Sequence, residues 1–225
     1  MVWLSGGEAT GMETDRIELK MVVMAVMTIV VLESGGATAL SFFSHISSLV
    51  MLTGIRILEI ISLLVLVHGF GQGGGPVGLA KEQLMGGLLQ GIWWSLIFGV
   101  VALAGGVLLL MAGLNLFELL HVPLPKTVGA TVLFFITGGL IGPLAEEIFF
   151  RGFLYGFLRQ WGVWVALSVT TFLFVVIHPL GSAVPVPQII GSIVFTLAYE
   201  KRGELMAPVT IHCLGNIALF FISYQ

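Results

Sequence analysis

Apolar runs separated by short polar or glycine-containing breaks govern this chain. Ile17–Leu32, Ala37–Phe70, Leu84–Leu110, Thr127–Arg159, Val163–Ile177, Val184–Tyr199 and Leu205–Tyr224 are hydrophobic with few interruptions. A helix crossing a hydrocarbon core of ~30 Å takes about 20 residues, so several of these runs are long enough to span a bilayer. Ile17–Leu32 is short for a span, and the Gly35-Gly36 pair after it predicts its end. Ala37–Phe70 is apolar apart from His45, Arg56, Glu59 and His68. It predicts either one long tilted helix or two segments divided near Gly54. Gly71–Gly78 reads GQGGGPVG and is the clearest loop, since its glycines and proline do not sustain a helix. Lys81 and Glu82 lead into the long span Leu84–Leu110, where Trp93 and Trp94 suit an aromatic belt or the core. His121–Lys126, HVPLPK, closes this half of the chain.

Thr127–Arg159 is too long for one straight span. Its glycines at 138, 139 and 142 and its Pro143 predict a helix to about Ile141, a kink, and a second helix from about Leu144. The Gly138/Gly142 pair suits close helix approach. Val163–Ile177 is expected to end at His178-Pro179, and Glu200–Glu204 to form a tight charged loop before the last span. The pattern therefore predicts an all-α fold: a polytopic transmembrane bundle of six to eight helices with a kinked or broken helix at Gly142-Pro143. Residues 1–16 form a polar tail, 17–126 membrane helices without a recognised motif, and 127–225 the part that carries the chemistry, in one compact membrane domain.

Composition sharpens this reading. Of 225 residues, 57% are hydrophobic and 9% charged, with a mean hydropathy of +1.08; a soluble domain carries roughly a quarter charged residues. This is the profile of an integral, multi-pass membrane protein, in the plasma (inner) membrane if the host is bacterial. Arg16 and Lys20 favour a cytoplasmic amino end. Lys20 followed by an apolar run superficially resembles a signal segment, but acidic residues before it and Glu33 after it favour a retained first helix. The net charge of -3 has no basic stripe, which excludes nucleic acid as a partner. Cys213 is the single cysteine, so an intrachain disulfide and a cysteine-cluster metal site are excluded.

Against so apolar a background, charged groups at membrane depth are costly and mark pairs or functional sites. Arg56 and Glu59 are i,i+3 partners, expected near an interface as a solvated pair. Glu146 and Glu147 are adjacent, and Arg151 follows Glu147 by four positions, the spacing of a helical ion pair that supports the architecture. Glu146 is rotated by about 100° from its neighbour and has no local cation. An unpaired carboxylate in such a place is either protonated or employed. His178 ends the run Phe174-Val175-Val176-Ile177, and His212 and Asn216 share a helix face. A carboxylate, two imidazoles and an amide make a sensible hydrolytic set. Glu146 would serve as general base toward water, one histidine would orient that water, and Asn216 with the other histidine would donate to an oxyanion. Such donors contribute about 3 kcal/mol each in a dry cavity. His45, His68 and His121 lie outside these motifs and read as interfacial. Phe149, Phe150, Phe153 and Phe157 read as packing or lipid-facing. Cys213 points about 100° away from His212 and reads as a small apolar residue rather than a nucleophile.

The three signatures EExxxR (Glu146, Glu147, Arg151), FxxxH (Phe174, His178) and HxxxN (His212, Asn216), in this order, resemble those of the CAAX-protease and bacteriocin-processing family of intramembrane proteases. That family includes the Ras-converting prenyl endopeptidases. Phe150-Arg151-Gly152 and Pro143 also resemble the family's usage, and the resemblance covers roughly Thr127–Tyr224. It implies a helical membrane protease with Glu146 as base, His178 beside the water, His212 and Asn216 at the oxyanion, and Glu147 with Arg151 as structural support. Family members are commonly labelled metalloproteases, and Glu146, His178 and His212 are the candidate ligands of a zinc ion. The chain has no HExxH, and a ligating Glu146 would not be free to act as base. A metal-free glutamate mechanism is preferred here, with no cofactor assigned.

The function expected is an intramembrane endopeptidase acting on a peptide or lipidated protein in the bilayer. The alternative from another class is a non-enzymatic membrane immunity or partner protein, or a small transporter, using the polar cluster for binding. A transporter often shows internal repeats, and none is visible here, since the polar constellation is confined to the second half.

Overall fold

A computed structural model of the chain describes residues 17–43, 45–69, 74–113, 120–178 and 185–224. Among these residues there are seven helices and no strand: α1 (Leu19–Phe42), α2 (Ser48–Gly69), α3 (Lys81–Met111), α4 (Val128–Trp161), α5 (Val163–Ile177), α6 (Val186–Arg202) and α7 (Met206–Ser223). Five are long and apolar enough to cross a bilayer: α1, α2, the helix containing α3, α4 and α7. The all-α membrane bundle predicted from the apolar runs is borne out. The polar tail, Gly71–Gly73 and the Pro179–Val184 connection lie outside the described residues.

The first half departs from expectation at its glycines. Gly35 and Gly36 do not end α1, which continues to Phe42. In hydrocarbon an opened turn leaves backbone groups unsatisfied at several kcal/mol each, whereas glycine costs a helix only about 1 kcal/mol. Gly36 instead lets α1 approach α2, since a Cβ there would collide with the Ile55 side chain. Gly54 likewise sits inside α2 without breaking it. α1 ends at Phe42 and α2 starts at Ser48, where the Ser47 hydroxyl accepts from the Val50 N–H at 3.2 Å. Arg56 and Glu59 are not a solvated pair. Glu59 is 1% exposed, Arg56 donates to it at 2.6 Å and reaches Glu33 on α1 at 2.9 Å. A carboxylate turned into the bundle must be paired there, so the arginine ties α1 to α2.

At one end of the bundle, Gly78 packs on the Gly203 carbonyl, both with positive φ, and the Leu205 N–H donates to the Gly78 carbonyl at 3.0 Å. The expected charged loop after Tyr199 begins later, because α6 runs to Arg202 and Gly203 closes it in the left-handed conformation. Tyr155 and Arg159 of α4 hold Glu200 at 2.7 Å and 2.7–3.0 Å. α7 lies close along α3: a Cβ on Gly87 would meet Met206 Cβ at 2.9 Å and one on Gly91 would meet Thr210 Cβ at 2.5 Å. The outer faces of α1, α2 and α3 remain apolar and exposed, as at Val100 and Leu103, which suits a bilayer and not water.

The core centres on α4. Ile148, Phe150, Phe153 and Tyr155 are buried with Phe174, Tyr199, Leu205 and Ile211 from the helices around them. α4 is one helical run that is bent rather than broken near Gly142-Pro143. It widens into π turns over Thr137–Ile141 and Ile148–Tyr155. The first is a direct consequence of the sequence. The Gly142 N–H donates to the Thr137 carbonyl five residues back, and Pro143 has no N–H to offer. The Gly138 carbonyl is thereby left without a helical partner.

Candidate active site

The π turns aim the Glu146-Glu147 pair from α4 at α5, α6 and α7. Glu147 and Arg151 are both fully buried and bonded at 3.0 Å, as the i,i+4 spacing predicts. Arg151 also donates to the Ser192 carbonyl at 3.0 Å and the Ser192 hydroxyl at 2.9 Å, and its guanidinium carbon lies 5.0 Å and 5.3 Å from the Phe174 and Phe195 ring centroids. The buried cation is thus compensated by one carboxylate, one serine and two aromatic faces.

Glu147 does more than pair with Arg151. The same Oε1 accepts from His212 Nδ1 at 2.8 Å. Phe195 stacks on the His212 ring, with centroids 4.6 Å apart and planes 20° apart. With its position fixed on both counts, His212 presents Nε2 to Glu146 Oε2 at 3.9 Å. His178 reaches the same oxygen by another route. It precedes Pro179, and the residue before a proline is driven out of helical geometry; its φ of -81° and ψ of 146° are extended. Its Nδ1 donates to the Phe174 carbonyl at 2.6 Å, the Phe174 ring lies 4.5 Å from the imidazole, and Nε2 stands 3.8 Å from Glu146 Oε2.

A carbonyl and an ionised carboxylate only accept hydrogen bonds. Both imidazoles therefore carry their proton on Nδ1 when neutral, and both offer a lone pair on Nε2 toward one carboxylate oxygen. That oxygen, Glu146 Oε2, is buried and has no hydrogen-bond partner among the described residues. Separations of 3.8 and 3.9 Å exceed a direct hydrogen bond and match the span one bridging water covers. The donor types would suit zinc, with each Nδ1–H satisfied as a ligating histidine requires. The spacing does not: ligand atoms on a tetrahedral zinc with bonds near 2.0–2.1 Å lie about 3.4 Å apart. No group of three His, Cys, Asp or Glu side chains among the described residues stands close enough to hold a metal ion.

Asn216 extends the cluster from α7, one turn beyond His212. Its Nδ2 donates at 2.8 Å to the Gly138 carbonyl, the group orphaned by the π turn and Pro143. One amide proton is used in this way and the second is left over. Glu146, His178 and His212, with Glu147 and Arg151 behind them, are thus brought together, while Asn216 stands one turn further along α7 and is bonded to Gly138. Ser192 and Phe195, which hold Arg151 and His212, carry no motif in the sequence; their only signal is a small polar residue and an aromatic within an apolar helix. Arg56 and Glu59 also escaped notice as neighbours of the site, yet both lie within electrostatic reach of Glu146. His45, His68 and His121 stay at exposed positions, away from the cluster.

Fold and site together define a polytopic helical membrane protein with a half-buried glutamate facing two oriented imidazoles. Comparison with known proteins narrows that class. Residues 127–218 match the family model described as type II CAAX prenyl endopeptidase Rce1-like, so the resemblance seen in the three motifs is borne out over that stretch. Over 79 residues the chain is 30% identical to the UPF0177 protein YxdF of Lactococcus lactis subsp. lactis (strain IL1403), a match spanning 35% of this chain and 44% of that relative. No solved structure matches the chain.

Proposed function

We propose that this chain is an intramembrane endopeptidase in which Glu146 activates a water molecule. The observation that carries the reading is the convergence of two Nε2 lone pairs on the unpartnered Glu146 Oε2. Both imidazoles are locked in the tautomer that leaves those lone pairs free. Water bridging Oε2 and the His178 Nε2 loses a proton to Glu146 as its oxygen adds to the scissile carbonyl carbon, and the carbonyl π electrons move to oxygen. The free amide proton of Asn216 is a donor for that oxyanion. His212, its ring held by Glu147, stands at the same site as the second polar group for that oxyanion. Collapse of the adduct breaks the C–N bond, and Glu146 returns its proton to the departing amine. Glu147 and Arg151 position His212 and do not touch the substrate. The substrate class is a membrane-inserted or lipidated peptide cut near the membrane surface; the likeness to the prenyl endopeptidase family supports a prenylated one.

The test compares protein and peptide termini in membranes of cells expressing the wild type or Glu146→Gln at matched levels. Termini present only with the wild type support proteolysis. Identical profiles together with a host phenotype that persists in the variant refute it and favour a binding role. In the purified reaction, a chelator is expected to leave the rate unchanged. Loss of cleavage that zinc restores would overturn the direct glutamate step.

A further inference from the structure

The first π turn of α4, Thr137–Ile141, packs against both α2 and α7. On the α7 side there is no spare room: a Cβ on Gly138 would meet Phe220 Cζ at 3.0 Å, and one on Gly139 would meet Ile217 Cγ1 at 3.0 Å. Asn216 reaches across that contact to the Gly138 carbonyl at 2.8 Å. On the α2 side the contact is a pair of hydroxyls, Thr53 and Thr137, 2.7 Å apart. Thr53 donates its one hydroxyl proton to the Leu49 carbonyl at 2.7 Å, so Thr137 is the donor within the pair. A threonine inside a helix ordinarily turns its hydroxyl back on a carbonyl three or four residues earlier. Thr137 is 2% exposed and gives its proton to another helix instead.

The register of this turn decides which carbonyl Asn216 finds. Pro143 has no N–H, so one carbonyl before it goes unpaired in either kind of helix. With α pairing, four residues back, that carbonyl belongs to Gly139; with π pairing, five residues back, it belongs to Gly138. The Gly142 N–H reaches the Thr137 carbonyl, so the π register holds, and Asn216 takes Gly138. One step of register would move the free carbonyl by about 100° around α4 and away from that amide. Thr137 carries both the carbonyl that closes the π turn and the hydroxyl bonded to α2. We infer that Thr53 and Thr137 are positioning residues: their bond holds α4 in the π register and so aims the Asn216 amide. What that amide does rests on the oxyanion role proposed above. α2 lies outside the stretch that the family model matches, yet by this bond it helps to build the site.

The chain has two asparagines, Asn115 and Asn216. Isotope labelling of asparagine side-chain nitrogen therefore gives a short NMR spectrum of the purified full-length protein in detergent, which Asn216→Ala assigns. The wild type is expected to show one Asn216 amide proton protected from exchange with water. Thr53→Val and Thr137→Val keep the side-chain shape and delete the bond between α2 and α4. Each is expected to speed that exchange by about threefold to tenfold, the fold-change of one lost hydrogen bond. Thr53→Ser retains the hydroxyl and should keep the wild-type protection. Tyr155→Phe, which loses the Glu200 bond elsewhere on α4, should leave it unchanged. Wild-type protection in both valine variants overturns the proposal, as does an unprotected Asn216 amide in the wild type. An equal loss in Tyr155→Phe would mean general loosening and also overturns it, as would Thr53→Ser behaving like Thr53→Val. None of these readings needs a substrate. With a cleaved substrate in hand, both valine variants should lower kcat and leave KM unchanged, since the amide meets the oxyanion only in the transition state. An unchanged kcat overturns the link to catalysis. If the wild type cleaves nothing, the amide signals still decide the register, and the proteolysis reading alone falls.

Discussion

Removing Arg151 exposes most directly whether the polar cluster is buried and mutually compensated. Arg151→Met keeps side-chain length but deletes the bonds to Glu147 Oε1, the Ser192 carbonyl and the Ser192 hydroxyl. Among the described residues it leaves the fully buried Glu147 bonded to His212 alone. Breaking a buried pair from one side costs about 3–5 kcal/mol, because an uncompensated charge remains. For a domain of this size each kcal/mol moves Tm by about 2–4 °C, so the variant should melt about 6–20 °C below the wild type. Glu147→Gln leaves the fully buried Arg151 cation without its carboxylate and should likewise cost about 3–5 kcal/mol. Its oxygen still accepts from Arg151 and His212, but its new amide donor lies where Oε2 has no partner. With both changes combined no charge is stranded, and the double variant should be more stable than the sum of the two losses. Thermal unfolding in detergent, followed by intrinsic fluorescence at two heating rates, reads all three. An Arg151→Met variant melting within about 3 °C of the wild type would refute the buried, compensated pair.

Other predictions follow from individual contacts. Asn216→Ala strands the Gly138 carbonyl and should lower stability by about 1–3 kcal/mol while reducing cleavage; an unchanged melting curve would sink the role given to its 2.8 Å bond. Gly91→Leu places a side chain where even a Cβ meets Thr210 at 2.5 Å. It should destabilise by about 1–3 kcal/mol or more by forcing α3 from α7, and a wild-type melting point would contradict that packing. Arg56→Gln leaves Glu59 buried without its cation and should cost about 3–5 kcal/mol. Were Arg56 and Glu59 a solvated surface pair, the same change would cost under about 1 kcal/mol, a difference that thermal melting resolves.

The ordering of the site has its origin in local sequence. Pro143 cannot close a helical turn, so a widened turn forms before it, a carbonyl is freed, and Asn216 takes that carbonyl. Pro179 drives His178 out of α5, which is what turns its imidazole toward Glu146. The i,i+4 spacing of Glu147 and Arg151 specified their pair before any tertiary contact was known. The apolar runs likewise specified the helices: Val163–Ile177 was legible to the residue, because its ends are a glycine and a residue preceding proline.

Other features were decided only by packing. Gly35-Gly36 looked like a helix end, but hydrocarbon penalises an open turn more than glycine penalises a helix, so the pair became a contact surface for α2. The Arg56–Glu59 spacing is the same whether the pair faces water or the bundle; the approach of α1, which brings Glu33, settled it. The second task of Glu147, orienting His212, joins residues 65 positions apart, a relation no local pattern encodes. Ser192 and Phe195 hold the site through contacts among α4, α6 and α7. Local sequence fixes backbone geometry through sterics and missing donors, which act within a few residues. Which buried charge meets which partner depends on how helices stack, and that is a property of the assembled bundle.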